Sequence, residues 1–289
     1  MLKPLEDLVQ GAVEQTLAEI KHRHDCRLCL LRQNQLQGKT VINDSFGYFL
    51  ITGGSRGIGA ACALRAARDW PVALFFRNST EEAHKVVRTI ERAGGTALAI
   101  QADVGDEDSL MRGFETLDKV GSLAVLVNNA GVTGGISRVD TVSAATLQEV
   151  YRVNVIGAFL SAREAVRRMS TRHGGQGGSI VNISSGAAVL GSPNSWVHYA
   201  ASKGAIDTMT IGLSKEVAGE GIRVNAVRPG LVDTEIQSSR SAEQLQKMIS
   251  AVPLGRMGTV EEIAEAVVWL ASPAASYVTG CLLDARGGL

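Results

Sequence analysis

Thr52-Gly53-Gly54-Ser55-Arg56-Gly57-Ile58-Gly59 follows the apolar run Tyr48-Phe49-Leu50-Ile51 and leads into the Ala-rich stretch Ala60 to Arg68. Read as strand, turn and helix, these residues form a phosphate cradle. The glycines turn the chain tightly and let a pyrophosphate approach the backbone, while the helix N-terminus offers free N–H groups and the positive end of its dipole. A glycine turn alone says little. Its position between a strand and a helix, at the head of an alternating series, predicts dinucleotide binding. The spacing is G-x-x-x-G-x-G, not G-x-G-x-x-G.

Outward from this turn, short β-type runs alternate with amphipathic helical stretches. The expected strands are Tyr48 to Thr52, Val72 to Phe76, Ala97 to Gln101, Leu123 to Val127, Ser179 to Ile183, Ile222 to Val227 and Cys281 to Asp284. The expected helices include Glu81 to Ala93, Asp106 to Lys119, Ala144 to Met169, Tyr199 to Ala218 and Val260 to Ala271. Such alternation implies right-handed βαβ crossovers, hence an α/β fold: a Rossmann-type, doubly wound, parallel seven-stranded sheet with helices on both faces. Ligands should then bind beyond the C-terminal ends of the strands.

Composition narrows the function classes. The 289 residues are 45% apolar and carry 29 Lys plus Arg against 29 Asp plus Glu, so no net field favours nucleic acid or an anionic membrane. No apolar run approaches the ~20 residues of a membrane span, and no compact secretory stretch opens the chain. The expectation is a cytoplasmic protein with a small-molecule partner. Residues 1–45 read as an N-terminal extension, a helix carrying Leu5, Leu8, Val9, Ala12 and Val13 and then a polar loop; residues 46–289 read as a single domain. Cys26 and Cys29 form a C-x-x-C near His22 and His24, but four ligands within eight residues would be crowded; two thiols on a peripheral helix is the plainer reading, and no metal is expected. Cys62 and Cys281 read as small core residues.

Two further sites carry chemistry. The second strand is followed by Arg77 and Asn78 where an acid would hold the adenine ribose of NAD. A guanidinium there suits a 2′-phosphate, with Arg56 and the Ser55 hydroxyl beside it, so NADP(H) is preferred and NAD(H) is the alternative. The competing reading makes both arginines solvated surface charges. Downstream, Tyr199-Ala200-Ala201-Ser202-Lys203 places a phenol and an ammonium one helical turn apart. A neighbouring cation favours the phenolate, which predicts a lowered Tyr199 pKa and a usable acid or base.

Taken in order, Thr52 to Gly59, Asn128-Asn129-Ala130-Gly131, Ser185 with Tyr199-x-x-x-Lys203, and Pro229-Gly230 resemble the short-chain dehydrogenase/reductase family, in its single-domain branch, over about Tyr48 to Gly288. The tract from Gly191 through Thr234 is similar to glucose 1-dehydrogenase-like and 3-oxoacyl-carrier-protein reductase-like members. The resemblance implies that Tyr199 is the catalytic acid/base and that Ser185 holds the substrate oxygen, with Ser184 as the fallback. It implies that Lys203 lowers the pKa of Tyr199 and bonds the nicotinamide ribose, and that Asn154 supports a lysine-linked proton relay. It makes Asp103 and Val104 adenine-side contacts, Asn129, Ala130 and Gly131 the cofactor lining, and Pro229, Gly230, Val232 and Thr234 part of the carboxamide segment. Tyr199 and Lys203 count among the cofactor contacts too. Hydride would pass between nicotinamide C4 and a carbonyl carbon while Tyr199 exchanges the proton. Relatives assemble as tetramers, so a homotetramer is the default and a homodimer the alternative. The competing functions are an NAD-linked sugar or polyol dehydrogenase and a nucleotide-sensing protein without chemistry. Substrate choice falls to the segment Asp233 to Pro253 and to residues such as Val189 and Asn194. His198 reads as packing or solvent, not as a substrate contact.

Overall fold

A computed structural model describes residues 47–237 and 240–289. Among them, seven strands form one all-parallel sheet: β1 (Tyr48–Thr52), β2 (Val72–Phe76), β3 (Ala97–Gln101), β4 (Leu123–Asn128), β5 (Gly178–Ile183), β6 (Ile222–Pro229) and β7 (Leu282–Ala285). Their order is β3-β2-β1-β4-β5-β6-β7, so the chain reverses its direction of winding between β1 and β4. All five residues of β2, Val-Ala-Leu-Phe-Phe, are buried. That continuous apolar run is what a strand covered on both faces requires.

Because side chains alternate along a strand, β1 sends Phe49 and Ile51 to one face and Leu50 to the other. The first face packs α1 (Gly57–Ala66), α2 (Thr80–Arg92) and α9 (Val260–Ala271) through Cys62, Ala66, Val87, Ile90, Ala264 and Val267. The second packs α3 (Glu107–Asp118), α5 (Gly157–Met169) and α7 (Val197–Val217), with Phe114 edge-on to Phe75 at 5.3 Å. Between α2-side and α7-side layers the architecture is the expected doubly wound one. Trp70-Pro71 leads directly into β2: Trp70 stacks at 5.4 Å from Phe49, and the Pro71 carbonyl accepts the Phe49 N–H.

Three differences from the sequence reading bear on the site. The long helix expected over residues 144–169 is split into α4 (Ala144–Tyr151) and α5 by a π-turn at Arg152–Ile156, which contains Asn154. Two helices were not anticipated, α6 (Ala187–Leu190) and α8 (Ala242–Ser250). The last strand runs one residue later than expected, Leu282–Ala285. Cys62 is buried, and burial pushes its thiol up to about 12, while Cys281 is half-buried. The expected N-terminal extension, with His22, His24, Cys26 and Cys29, lies outside the described residues. Among the described residues no helix is long and apolar enough to cross a membrane.

Candidate active site

The C-terminal ends of β1, β4, β5 and β6 open into one cavity of about 790 Å³ beside the β1/β4 reversal, where open α/β sheets bind ligands. At its floor lies the glycine turn. Gly53 adopts φ +65°, and a Cβ there would press on Ala130. Arg56 precedes α1 without capping it by its side chain, so the first amides of the helix face the turn unclaimed by a side-chain cap. Asn129 braces this geometry by donating to the carbonyls of Thr52 and Gly53, both at 3.0 Å, and the Thr52 hydroxyl accepts the Asn129 and Ala130 N–H groups. These observations fit a pyrophosphate: bare glycines, an uncapped helix start and a rigid frame.

Of the cofactor residues expected from sequence, all but one line this cavity. Gly59 does not; it is buried behind the turn, where a Cβ would collide with the Gly53 carbonyl and Asn129 Nδ2. The missing side chain lets the helix approach the turn. Arg77 and Asn78 sit at the end of β2, facing a shallower hollow shared with Asp103, Ser109 and Arg112. Arg77 pairs with Glu149 at 3.1 Å, and Arg56 pairs with Glu235 at 2.8 Å. Glu149 lies well placed between two cations: Arg152, with Arg77 adding to it, holds its carboxyl below the usual range. Asp103 accepts the Gly105 N–H and bonds Arg152 at 3.3 Å. Sequence reading missed Arg112, which lines the hollow, and Glu149, which pairs with Arg77 from behind it, because both come from helices whose own patterns look like solvated faces.

The residues expected to react, Ser185, Tyr199 and Lys203, come together at the corner where the end of β5 meets α7. The Tyr199 phenol hydrogen-bonds the Ser185 side chain, whose Oγ also accepts the Ala187 N–H at 3.1 Å. Ser184 Oγ instead donates to the Lys203 carbonyl and is buried. The two serines are thereby separated: Ser185 meets the tyrosine, and Ser184 ties strand to helix. Lys203 is buried and donates to the Ile183 carbonyl at 2.7 Å, with Nζ 5.8 Å from the centre of the Tyr199 ring. Asn154 stands one layer back. Its Oδ1 accepts the Val132 N–H at 2.8 Å, and its Nδ2 donates to the Val132 carbonyl and to Ser202 Oγ, which itself donates to the Tyr199 carbonyl. The π-turn makes this possible by turning Asn154 inward from the helix path.

One electrostatic expectation is reversed. Burial pushes the Tyr199 phenol up, only partly opposed by the bond to Ser185, because desolvation penalises the phenolate. Burial also pushes Lys203 down, to about 8, against the opposing charge of Asp207. The ammonium hydrogen-bonds the Ile183 carbonyl and stands 5.8 Å from the ring centre, so at the phenol the effect of burial outweighs it.

The remaining wall is apolar. Leu190, Trp196, Ile236, Met248 and Leu289 line it, with Ser192 among them in a left-handed conformation at φ 46°. Ile236 and Met248 come from the segment expected to govern substrate choice. Val189 is not part of the wall, Asn194 accepts a bond from Arg138, and the buried His198 bonds the Thr133 carbonyl, in keeping with packing.

Against known proteins, residues 53–289 match the family model described as enoyl-(acyl carrier protein) reductase. The chain is 48% identical to the uncharacterized oxidoreductase YgfF of Escherichia coli K12 over 242 residues, 83% of this chain and 98% of that protein. A solved short-chain dehydrogenase/reductase from Serratia marcescens superposes with a TM-score of 0.78 at 35% identity, covering 84% of this chain and 97% of the other. A blue fluorescent protein from a metagenomic library, solved in complex with NADPH, superposes with a TM-score of 0.77 at 33% identity over the same shares.

Proposed function

The chain belongs to the short-chain dehydrogenase/reductase family, nicotinamide-dependent oxidoreductases of CH–OH and C=O groups, and from that premise we propose an NADP(H)-linked carbonyl reductase working through Ser185, Tyr199, Lys203 and Asn154. The bound nicotinamide supplies or accepts the hydride. Ser185 Oγ and the Tyr199 hydroxyl orient the substrate oxygen by hydrogen bonds, and Tyr199 passes its proton to that oxygen as charge develops there. Burial pushes the phenol's pKa up, so it carries the proton that reduction of a carbonyl must deliver to the substrate oxygen. Lys203 keeps a positive charge beside the phenol, and Asn154 fixes the loop at Val132 against α7. The apolar wall at Leu190, Trp196, Ile236 and Met248 suits a substrate with a hydrocarbon body.

The preference for NADP(H) is carried by one observation: the hollow at the end of β2 presents Arg77 and Arg112 together. Its test is a fluorescence titration with NADPH and NADH, repeated on Arg77→Ala. NADPH is expected to bind at least about tenfold tighter, and the variant to erase that gap of about 1.4 kcal/mol. Tighter binding of NADH overturns the preference. A second reading, an NAD-linked sugar or polyol dehydrogenase, is favoured by Glu149, whose carboxylate beside Arg77 offers an acceptor for a ribose hydroxyl. The same reading of the family takes the assembly to be a homotetramer, with the half-exposed Ile156 and Phe159 suited to a subunit contact; light scattering of the full chain checks it.

A further inference from the structure

Behind the reacting corner lies a set of charges that no step above uses. Tyr199, Lys203 and Asp207 recur every four residues along α7 and so lie on one stripe of the helix. Asp207 is buried, at 7% exposure. Its Oδ2 accepts from Arg228 on β6 at 3.0 Å from Nε and 2.9 Å from Nη2. Its Oδ1 is buried with no hydrogen-bond partner. Arg228 reaches Asp284 on β7 at 3.7 Å, and Asp284 bonds Arg286 at 2.8 Å. Arg286 in turn lies under Gly186, the residue after Ser185: a Cβ on Gly186 would stand 2.8 Å from Arg286 Cδ. The signs alternate from Lys203 through Asp207, Arg228 and Asp284 to Arg286.

Burying a carboxylate that leaves one oxygen unbonded is costly unless a nearby charge compensates it. Arg228 compensates it on one oxygen, and one helical turn away the buried Lys203, whose own ammonium bonds only the Ile183 carbonyl, is the further positive charge on the same stripe. We propose that Asp207, anchored by Arg228, is a positioning residue whose carboxylate keeps Lys203 an ammonium beside Tyr199. Without it, the buried Lys203 would face the half-buried guanidinium of Arg228 with no carboxylate between them. Arg228 then sets how strongly Asp207 acts, since the arginine draws on the same carboxylate. The groups bearing on Lys203 are Tyr199 and Asp207 from α7, Arg228 and Asp284 through Asp207 from β6 and β7, the Ile183 carbonyl from β5, and the neutral amide of Asn154 across Gly131. This inference rests on the reading of Lys203 as the partner of Tyr199.

The test follows the Lys203 ammonium directly, by NMR pH titration of the full chain made with ε-13C-lysine, the signal being assigned by its loss in Lys203→Met. The wild-type midpoint is expected at about 8. Asp207→Asn should lower it by at least about one pH unit, a tenfold loss of proton affinity. Arg228→Gln should raise it, because the carboxylate is then left to Lys203 alone; Asp207→Glu should restore the wild-type value. A residue that merely supports the fold would move the first two variants alike. The proposal is overturned if folded Asp207→Asn leaves the midpoint in place, or if Asp207→Asn and Arg228→Gln shift it in the same direction. Should Asp207→Asn not fold, Arg228→Gln decides: an unmoved or lowered midpoint sinks the idea. Lys203→Met separates the premise from the inference. If it retains NADPH binding and carbonyl turnover, the reading of Lys203 fails, whatever the titration shows of its coupling to Asp207.

Discussion

The proposed reaction makes two demands of Tyr199: the phenol must give up a proton quickly, and it must still hold that proton when substrate arrives. Burial supplies the second, and the hydrogen bond from Ser185 opposes it in part. Tyr199→Phe keeps the ring and its edge contact with Trp196 at 6.1 Å but removes the transferable proton. Steady-state kinetics should show turnover lower by about 10²–10⁴-fold, with NADPH affinity within about twofold of wild type. Lys203 gives a pH test of both function and stability. Burial pushes its ammonium down to about 8, so turnover should fall as pH rises past that value. The folding linkage has the opposite sign. Between about pH 8 and the ordinary lysine range, the unfolded chain holds a proton that the folded chain has released, so stability rises with pH across that window. Thermal melts of wild type against Lys203→Met, in which that rise should vanish, check the assignment.

Elements differ in how openly their sequences declare them. Strands β1, β2 and β3 match their sequence-read bounds because each is a short β-rich run between turn residues. Helix α8 escaped notice because it is short: Leu245, Met248 and Ile249 make a half-buried stripe of little more than one turn, although Ser241 and Gln244 form a capping box that signals its start. The π-turn at Arg152–Ile156 was equally hidden, since no glycine or proline within it marks the extra residue. The site motifs were legible because glycines, asparagine and the Tyr/Lys pair are local in sequence; the pairing of Arg77 with Glu149 and of Arg56 with Glu235 was not, because it joins residues far apart in the chain. At this scale the junction of β1 and α1 is the most sensitive point. Gly59→Ala would force a methyl group between the Gly53 carbonyl and Asn129 Nδ2. Denaturant melts should show a loss of about 1–3 kcal/mol, and NADPH titration a weakening of at least about tenfold.

Across the whole molecule, the two cores flanking the sheet are tied by different means. The α3–α5 layer is laced by Glu164, whose side chain is 2% exposed and meets Arg163 and Arg167 at 2.9 Å and Arg168 at 2.8 Å. Arg168 continues to Asp118 on α3 at 2.7 Å and lies over the Phe114 ring. Although burial alone would raise the Glu164 carboxyl, Arg168 and Arg163 hold it below its ordinary value. The stability it contributes is therefore present above the unfolded carboxyl range and lost as pH falls through the folded value. Glu164→Ala removes the carboxylate shared by three arginines, of which Arg168 keeps Asp118 and Arg163 keeps Glu107, and should cost about 1–3 kcal/mol in a urea melt at neutral pH. The order of the strands also governs how the chain is made. Strand β1 lies between β2 and β4, and its partner in β4 is synthesised 75 residues later. At about 5–20 residues per second, a ribosome leaves that edge unpaired for roughly 4–15 s. During this interval an apolar half-sheet is open to any other extended chain, so the nascent protein has most need of a chaperone before Asn128 emerges, and synonymous codons that slow elongation between β3 and β4 should reduce its soluble yield.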